Sequence, residues 1–358
     1  MIRSKLACSW FAFMLFILTA CALEEHMVAP PKAVLVFAQG ETAPVLSAED
    51  AADDPAIWVD PHNIDNSRIL GTDKQYGLEV YNLEGERTQR LAVGRVNNID
   101  IRALSDVPGW SAIAAASNRT RNTISLFLVA HSGEVSWLSA SEIPTGLSEP
   151  YGLCMYMSDM GPQVFVNDKD GRFQQWQLLR APQDGAMPQF GARLVREFAV
   201  SNQPEGCVAD DEQGLLFLGV EDEGIRVVSA DAREEANIVS VADIDDEVLV
   251  ADVEGMDLYL QEGGQGYLVV SSQGNFSYAV YDRQAPYAYR GSFVVGHNTE
   301  LAVDGSQETD GLAVSSILRT PQYPQGMVVT QDGFNTHPEE AQNFKYLSWR
   351  QISTALDL

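Results

Sequence analysis

The sequence predicts an all-β chain wound into a six-bladed β-propeller. Short runs rich in Val, Ile, Leu, Tyr and Phe alternate with Gly, Asp and Asn turns, while helical periodicity is scarce. An acidic, polar or aromatic residue followed by a small residue and an apolar run recurs at Asp54, Asp100, Tyr151, Glu205, Glu254 and Asp310, 46 to 56 residues apart. Self-similarity at that period marks a repeat architecture. The two ends complement each other: the sixth unit stops before a fourth strand, and a strand at Ala33 to Phe37 belongs to no unit. An N-terminal strand completing the last blade closes the ring and removes its open edge.

Each unit supplies its strands in turn. Unit one reads as Asp54 to Trp58, Ile69 to Lys74, Leu78 to Tyr81 and Gln89 to Val93. Unit two reads as Asn98 to Arg102, which fits the slot less well, then Ile113 to Arg119, Ile124 to Val129 and Val135 to Ser139. Unit three follows at Tyr151 to Met155, Val164 to Asp170, Phe173 to Leu178 and Leu194 to Ala199. Unit four takes Glu205 to Val208, Leu215 to Asp222, Ile225 to Val228 and Ile238 to Val241. Unit five takes Glu254 to Leu258, Leu268 to Gln273, Tyr278 to Tyr281 and Ser292 to Val295. The last holds Asp310 to Val314, Met327 to Asp332 and Phe344 to Trp349. Residues 30–358 therefore form a single domain without an internal linker.

Ahead of the propeller, Arg3 and Lys5 precede an apolar stretch from Leu6 to Leu18, the layout of an export signal too short to span a bilayer. Leu18-Thr19-Ala20-Cys21 resembles a bacterial lipobox. Residues 1–21 are thus expected to be a signal peptide of the lipoprotein type, with Cys21 lipidated and the protein anchored at the periplasmic or cell-surface side of a membrane. Cleavage after Ala22 would instead give a soluble secreted form. The chain carries 50 acidic against 23 basic residues, a surface that repels nucleic acid and anionic lipid. Membrane contact is therefore expected only through the anchor, and the protein is expected to be a monomer. Whether Cys154 and Cys207 pair or remain buried thiols is open at this level.

Strands one and two of a blade are antiparallel neighbours, so the start of the first and the end of the second lie at one end. This should bring Asp53, Asp54, Asp100, Tyr151, Glu205, Glu254 and Asp310 to one mouth with Lys74, Arg119, Lys169, Asp170, Glu221 and Gln273. Adjacent aspartates such as Asp53 and Asp54 at the start of an apolar strand are costly without compensating positive charge, although Asp before Pro also makes ordinary turns. All-oxygen ligand sets select hard cations, calcium above all. Several such cations can bind phosphate, activate water and neutralise developing charge, while Lys74, Arg119 and Lys169 hold phosphate oxygens. The chain has no Gly-x-Ser-x-Gly elbow, no phosphate loop and no His-Glu-x-x-His helix.

At these residues the chain resembles the β-propeller phytases, the calcium-dependent bacterial type. Asp50-Ala51-Ala52-Asp53-Asp54-Pro55-Ala56-Ile57-Trp58 and Asn97-Asn98-Ile99-Asp100-Ile101-Arg102 carry the likeness, which continues through Ala115 to Arg119, Glu205-Gly206, Ser271 to Asn275, Thr309 to Gly311 and Gln331 to Gly333. The resemblance implies a 3-phytase, a phosphomonoesterase that releases phosphate from phytate presented as its calcium complex, by direct attack of a metal-bridged water. It implies several calcium ions. Lys74, Arg119, Tyr151, Lys169, Asp170 and Glu221 would be catalytic, and Lys74, Arg119, Lys169, Asn98 and Arg102 would bind substrate. Calcium would be held by Asp53, Asp54, Asp100, Glu205, Glu221, Asp252, Glu254, Gln273 and Asp310, and a fold-steadying calcium by Glu41, Asp304 and Asn335. Three positions depart from the family pattern: Gln75 replaces a second lysine, Asp170 a glutamate, and Val220 a glutamate beside Glu221. Two other readings stay open: another calcium-dependent propeller hydrolase, a lactonase or phosphodiesterase, or a non-catalytic surface binding propeller.

Overall fold

The structure is a computed structural model describing residues 33–105, 107–181, 187–245 and 247–358. The signal segment, Cys21 and the start of the predicted domain at residues 30–32 lie outside the described residues. Six antiparallel sheets follow one another around a ring. Blade one consists of Ala52–Trp58, Arg68–Asp73, Gly77–Tyr81 and Arg87–Leu91, from the inner to the outer strand. The inner strands of blades two to six are Val96–Ala103, Pro150–Ser158, Pro204–Asp210, Val253–Leu260 and Leu312–Ser315. All six predicted units are therefore blades.

Blades stay together because both faces of each sheet are apolar and pack against the next sheet. Buried side chains gather at each of the six junctions: Leu70, Val80, Ala114 and Phe127 between blades one and two, for example, and Ile69, Tyr81, Val329 and Phe344 between six and one. Gly71 leaves the space that Phe344 fills, since a Cβ there would lie 2.4 Å from its ring.

Ring closure differs in detail from the sequence reading. The predicted strand at Ala33 to Phe37 runs over Val34–Phe37 and does not complete the last blade; it adds a parallel fifth strand to the outside of blade five, with Val34 opposite Phe293 and Phe37 opposite Gly296. The N-terminal strand that completes blade six is the next one, Gly40–Glu41, antiparallel to Asn343–Ser348. The apolar run VLVF drew attention in the sequence, whereas two residues pairing through backbone bonds leave no pattern to read. A C-terminal helix, Trp349–Leu356, follows blade six without a helical prediction; it buries Trp349 and Ile352 beneath blades five and six.

A disulfide joins Cys154 to Cys207 with 5.7 Å between their Cα atoms. It ties the inner strands of blades three and four.

Candidate active site

Five inner strands share one irregularity near their start, a shift of register against the second strand. It falls between Ala52 and Pro55, Val96 and Ile99, Pro150 and Leu153, Pro204 and Cys207, and Val253 and Met256. Such bulges re-aim side chains, and the residues inside them are Asp53-Asp54, Asn97-Asn98, Tyr151-Gly152, Glu205-Gly206 and Glu254-Gly255. The recurrent small residue has a steric origin. A Cβ on Gly206 would lie 2.1 Å from the carbonyl oxygen of Glu254 on the next blade. The bulges thus close a backbone ring around the channel, continued in blade six where Gly311 donates its N–H to the Asp53 carbonyl.

This register corrects the slot in blade two. Asn97, not Asp100, occupies the position equivalent to Asp53 and Glu205. Three residues farther down the strand, Asp100 accepts the Met155 N–H and is paired with Arg102, which also bonds Asp211. Asp100 and Arg102 therefore line the channel beyond the mouth, and the structure does not bring them to the carboxylates expected to hold metal.

Glu205, Glu221 and Glu254 have carboxylate oxygens within 4.8 Å of one another, all three residues buried. Burial and the Glu205 charge push Glu254 well above the usual glutamate range. Burial also drives Glu221 up to about 7; Gln203 opposes the shift by hydrogen bonding, and Glu205 and Asp252 reinforce it. Asp252 stands at the edge of this group, its carboxyl raised by burial, Asp222 and Glu205. Buried carboxylates crowded together, raised first by burial and then by one another's charge, mark a place that prefers a cation. The donor chemistry fits calcium: carboxylate oxygens from two neighbouring blades, with the buried Oδ1 of Asn97 lacking any hydrogen-bond partner while its Nδ2 donates to Glu205 at 2.6 Å.

Across the mouth, Lys74 Nζ lies 2.7 Å from Asp50, 3.2 Å from Asp53 and 3.3 Å from Asp310. Burial opposes the Lys74 charge, but Asp53, Asp310 and Asp50 outweigh it and raise its pKa. Asp53 rises to about 6, chiefly by burial, with Lys74 pulling the other way. Gln273 donates to Asp310 at 2.5 Å. The remaining bases both approach Tyr151: Lys169 Nζ sits 4.1 Å from its ring centroid and the Arg119 guanidinium 5.9 Å away. Burial, then the charges of Glu205, Glu254 and Asp53, raise the Tyr151 pKa, keeping the phenol a neutral donor. Arg119 meets Glu149 at 3.5 Å, and its buried Nε has no partner.

The structure thus brings together Asp53, Lys74, Arg119, Tyr151, Lys169, Glu205, Glu221, Asp252, Glu254, Gln273 and Asp310. Others go elsewhere. Asp170 is half-exposed and turned to Arg172 at 2.9 Å. Asp54 accepts the Ile99 N–H, tying blade one to blade two, and Asn98 accepts from Asn97 Nδ2. Of the three departures from the family pattern, Gln75 pins the backbone of Ala48 and Asp50, and Val220 is fully buried. Sequence reasoning passed over Asp50, Asn97, Glu149 and Gln203 as site residues; Asp50 and Asn97 stand inside the two motifs, and register alone reveals their part.

A second charged group sits at the ring closure. The fully buried Lys345 ammonium contacts Glu41 at 2.6 Å, Asp332 at 3.1 Å and Asp304. Asn335 and Asn343 each keep a buried Oδ1 without a partner beside it. Lysine is the cation in contact with Glu41 and Asp304.

Comparison with known proteins finds both a family model and curated relatives. A family model described as Phytase matches residues 4–358. A curated 3-phytase of Bacillus subtilis (strain 168) is 38% identical over 357 residues, covering 96% of this chain and 91% of the relative.

Proposed function

The chain belongs to the phytase family, and from that premise we propose that it releases phosphate from phytate at the carboxylate-lined mouth with calcium as cofactor. One observation carries the metal reading: three buried glutamate carboxylates within 4.8 Å of one another, facing a rim of bases. Glu205, Glu221 and Glu254 would hold calcium, with Asp53, Asp252, Asp310 and Gln273 around it directly or through water. Bound there, calcium neutralises phosphate charge and activates a water for attack on phosphorus.

The chain's own residues do the rest. Each substrate phosphate carries about −1.5 to −2 charges near neutrality, so a mouth of bare carboxylates would reject it. Lys74, Arg119 and Lys169 receive its oxygens as charge-assisted donors. For Lys74 this means exchanging a carboxylate partner for phosphate, which becomes easier once a metal holds Asp53 and Asp310. Tyr151 lies against both Arg119 and Lys169 and offers its phenol proton. At the ring closure, a further calcium would find Asp304, Glu41 and the free Oδ1 atoms of Asn335 and Asn343, but would share Glu41 and Asp304 with Lys345.

The protein is proposed to be exported and anchored through a lipid on Cys21. Phytate turnover is measured with calcium titrated against a chelator. Phosphate release that rises with calcium and vanishes in chelator is expected; release indifferent to chelator would overturn the metal assignment.

A further inference from the structure

The propeller has a second face, away from the mouth, where inner strands end and second strands begin. Its charge and polarity differ from those of the mouth around blades five and six. Leu260, at the end of the blade-five inner strand, is 47% exposed, Ile317 in the following blade is 69% exposed, and Tyr289 at the start of the fourth strand of blade five is 41% exposed. Leu260 and Ile317 line a hollow of about 1150 Å³ whose charged members are Arg319, Arg350, Glu262 and Asp357. Two arginines stand there beside two acidic side chains, on a chain with 27 more acids than bases.

The N-terminal chain approaches from this same side. Val34–Phe37 runs parallel to Tyr289–Gly296, whose first residue lies at the lower face and whose last lies toward the mouth. Followed backward from Val34, the chain heads toward the lower face, beside the C-terminal helix whose Gln351 accepts the Phe37 N–H at 2.6 Å. Residues 22–32 then separate it from Cys21, a reach of about 36 Å when extended.

We infer that the lower face around Leu260, Tyr289 and Ile317 rests on the lipid surface to which Cys21 is attached, so that the mouth opens away from the membrane. The inference depends on the lipid-anchor reading of Cys21. Exposed apolar side chains beside Arg319 and Arg350 suit the bilayer interface, while the acidic mouth is repelled by anionic headgroups. Substrate then reaches the mouth from the aqueous side.

The test uses the full-length chain expressed with its leader, its N-terminal mass measured, and the protein placed on vesicles of phosphatidylethanolamine and phosphatidylglycerol. The Cys21→Ala chain mixed with the same vesicles is the unanchored reference. Amide hydrogen exchange should slow across residues 258–266, 286–291 and 316–323 in the anchored protein and stay unchanged across 46–51 and 298–302. In the Leu260→Asp, Ile317→Asp double variant the slowing at 286–291 should be lost, while phytate turnover in solution matches the parent. A lipidated chain with no slowing, or with slowing on the mouth-side loops, would overturn the proposed surface and leave the anchor standing. An N-terminus without lipid would overturn the anchor and the inference with it.

Discussion

Replacing Lys74 by methionine separates its two duties, holding the empty mouth together and receiving phosphate. In the metal-free protein Lys74 is the cation within 3.3 Å of Asp53 and Asp310, whose side chains are only 3% and 14% exposed. Removing one partner of a buried charge pair costs about 3–5 kcal/mol. Part of that is recovered here, because Asp53 already sits at about 6 and protonates at modest cost, leaving roughly 2–3 kcal/mol at neutral pH. For a domain of this size about 2 °C of melting temperature accompanies each kcal/mol, so thermal unfolding in chelator should fall by roughly 4–6 °C. Saturating calcium should shrink that difference, since the metal takes over the charge of the same carboxylates. Turnover should stay low with calcium present, by about a hundredfold or more in kcat/KM, because the lost phosphate donor is not replaced. A Lys74→Met protein whose melting point in chelator equals that of the parent would refute the electrostatic account.

Other expectations follow from the same geometry. Glu254→Gln removes one of three repelling carboxylates, so the metal-free protein should melt higher while calorimetry finds calcium affinity lowered at least tenfold, an order-of-magnitude figure. Asp53 and Glu221, at about 6 and about 7, are raised above their unfolded values, so the folded metal-free state holds more protons than the unfolded chain. Their contribution to its stability should therefore decline as pH rises from roughly 4 to 7, and calcium affinity should climb over the same interval as the ligands deprotonate; urea titrations and calorimetry at several pH values read both slopes. Reducing the Cys154–Cys207 bond, which closes a separation of 53 residues, should lower stability by about 4 kcal/mol on the chain-entropy model, visible as a reduced urea midpoint.

Much was legible in the sequence because a propeller repeats its physics. Four of the six apolar inner strands begin with a polar or aromatic residue followed by glycine, Tyr151-Gly152, Glu205-Gly206, Glu254-Gly255 and Asp310-Gly311, and their spacing gave the blade count and the end of the ring at which the site lies. The small residue was readable as a pattern but not as a cause; the cause is contact with the carbonyl of the next blade, as at Gly206 against Glu254. Local pattern failed where register decides. Asp100 follows the two asparagines of an acidic motif and looked like a ligand, yet the bulge at Asn97-Asn98 turns Asn97 to the mouth and leaves Asp100 lower in the channel with Arg102. Partners distant in sequence were equally hidden: Lys345 among Glu41, Asp304 and Asp332, and the bond between Cys154 and Cys207. The sequence by itself determined the blades, their number and most residues of the mouth, since these rest on periodic burial within each strand. Tertiary structure alone decided which strand closes the ring and which charges meet, because contacts between blades depend on register and on neighbours that no local window contains.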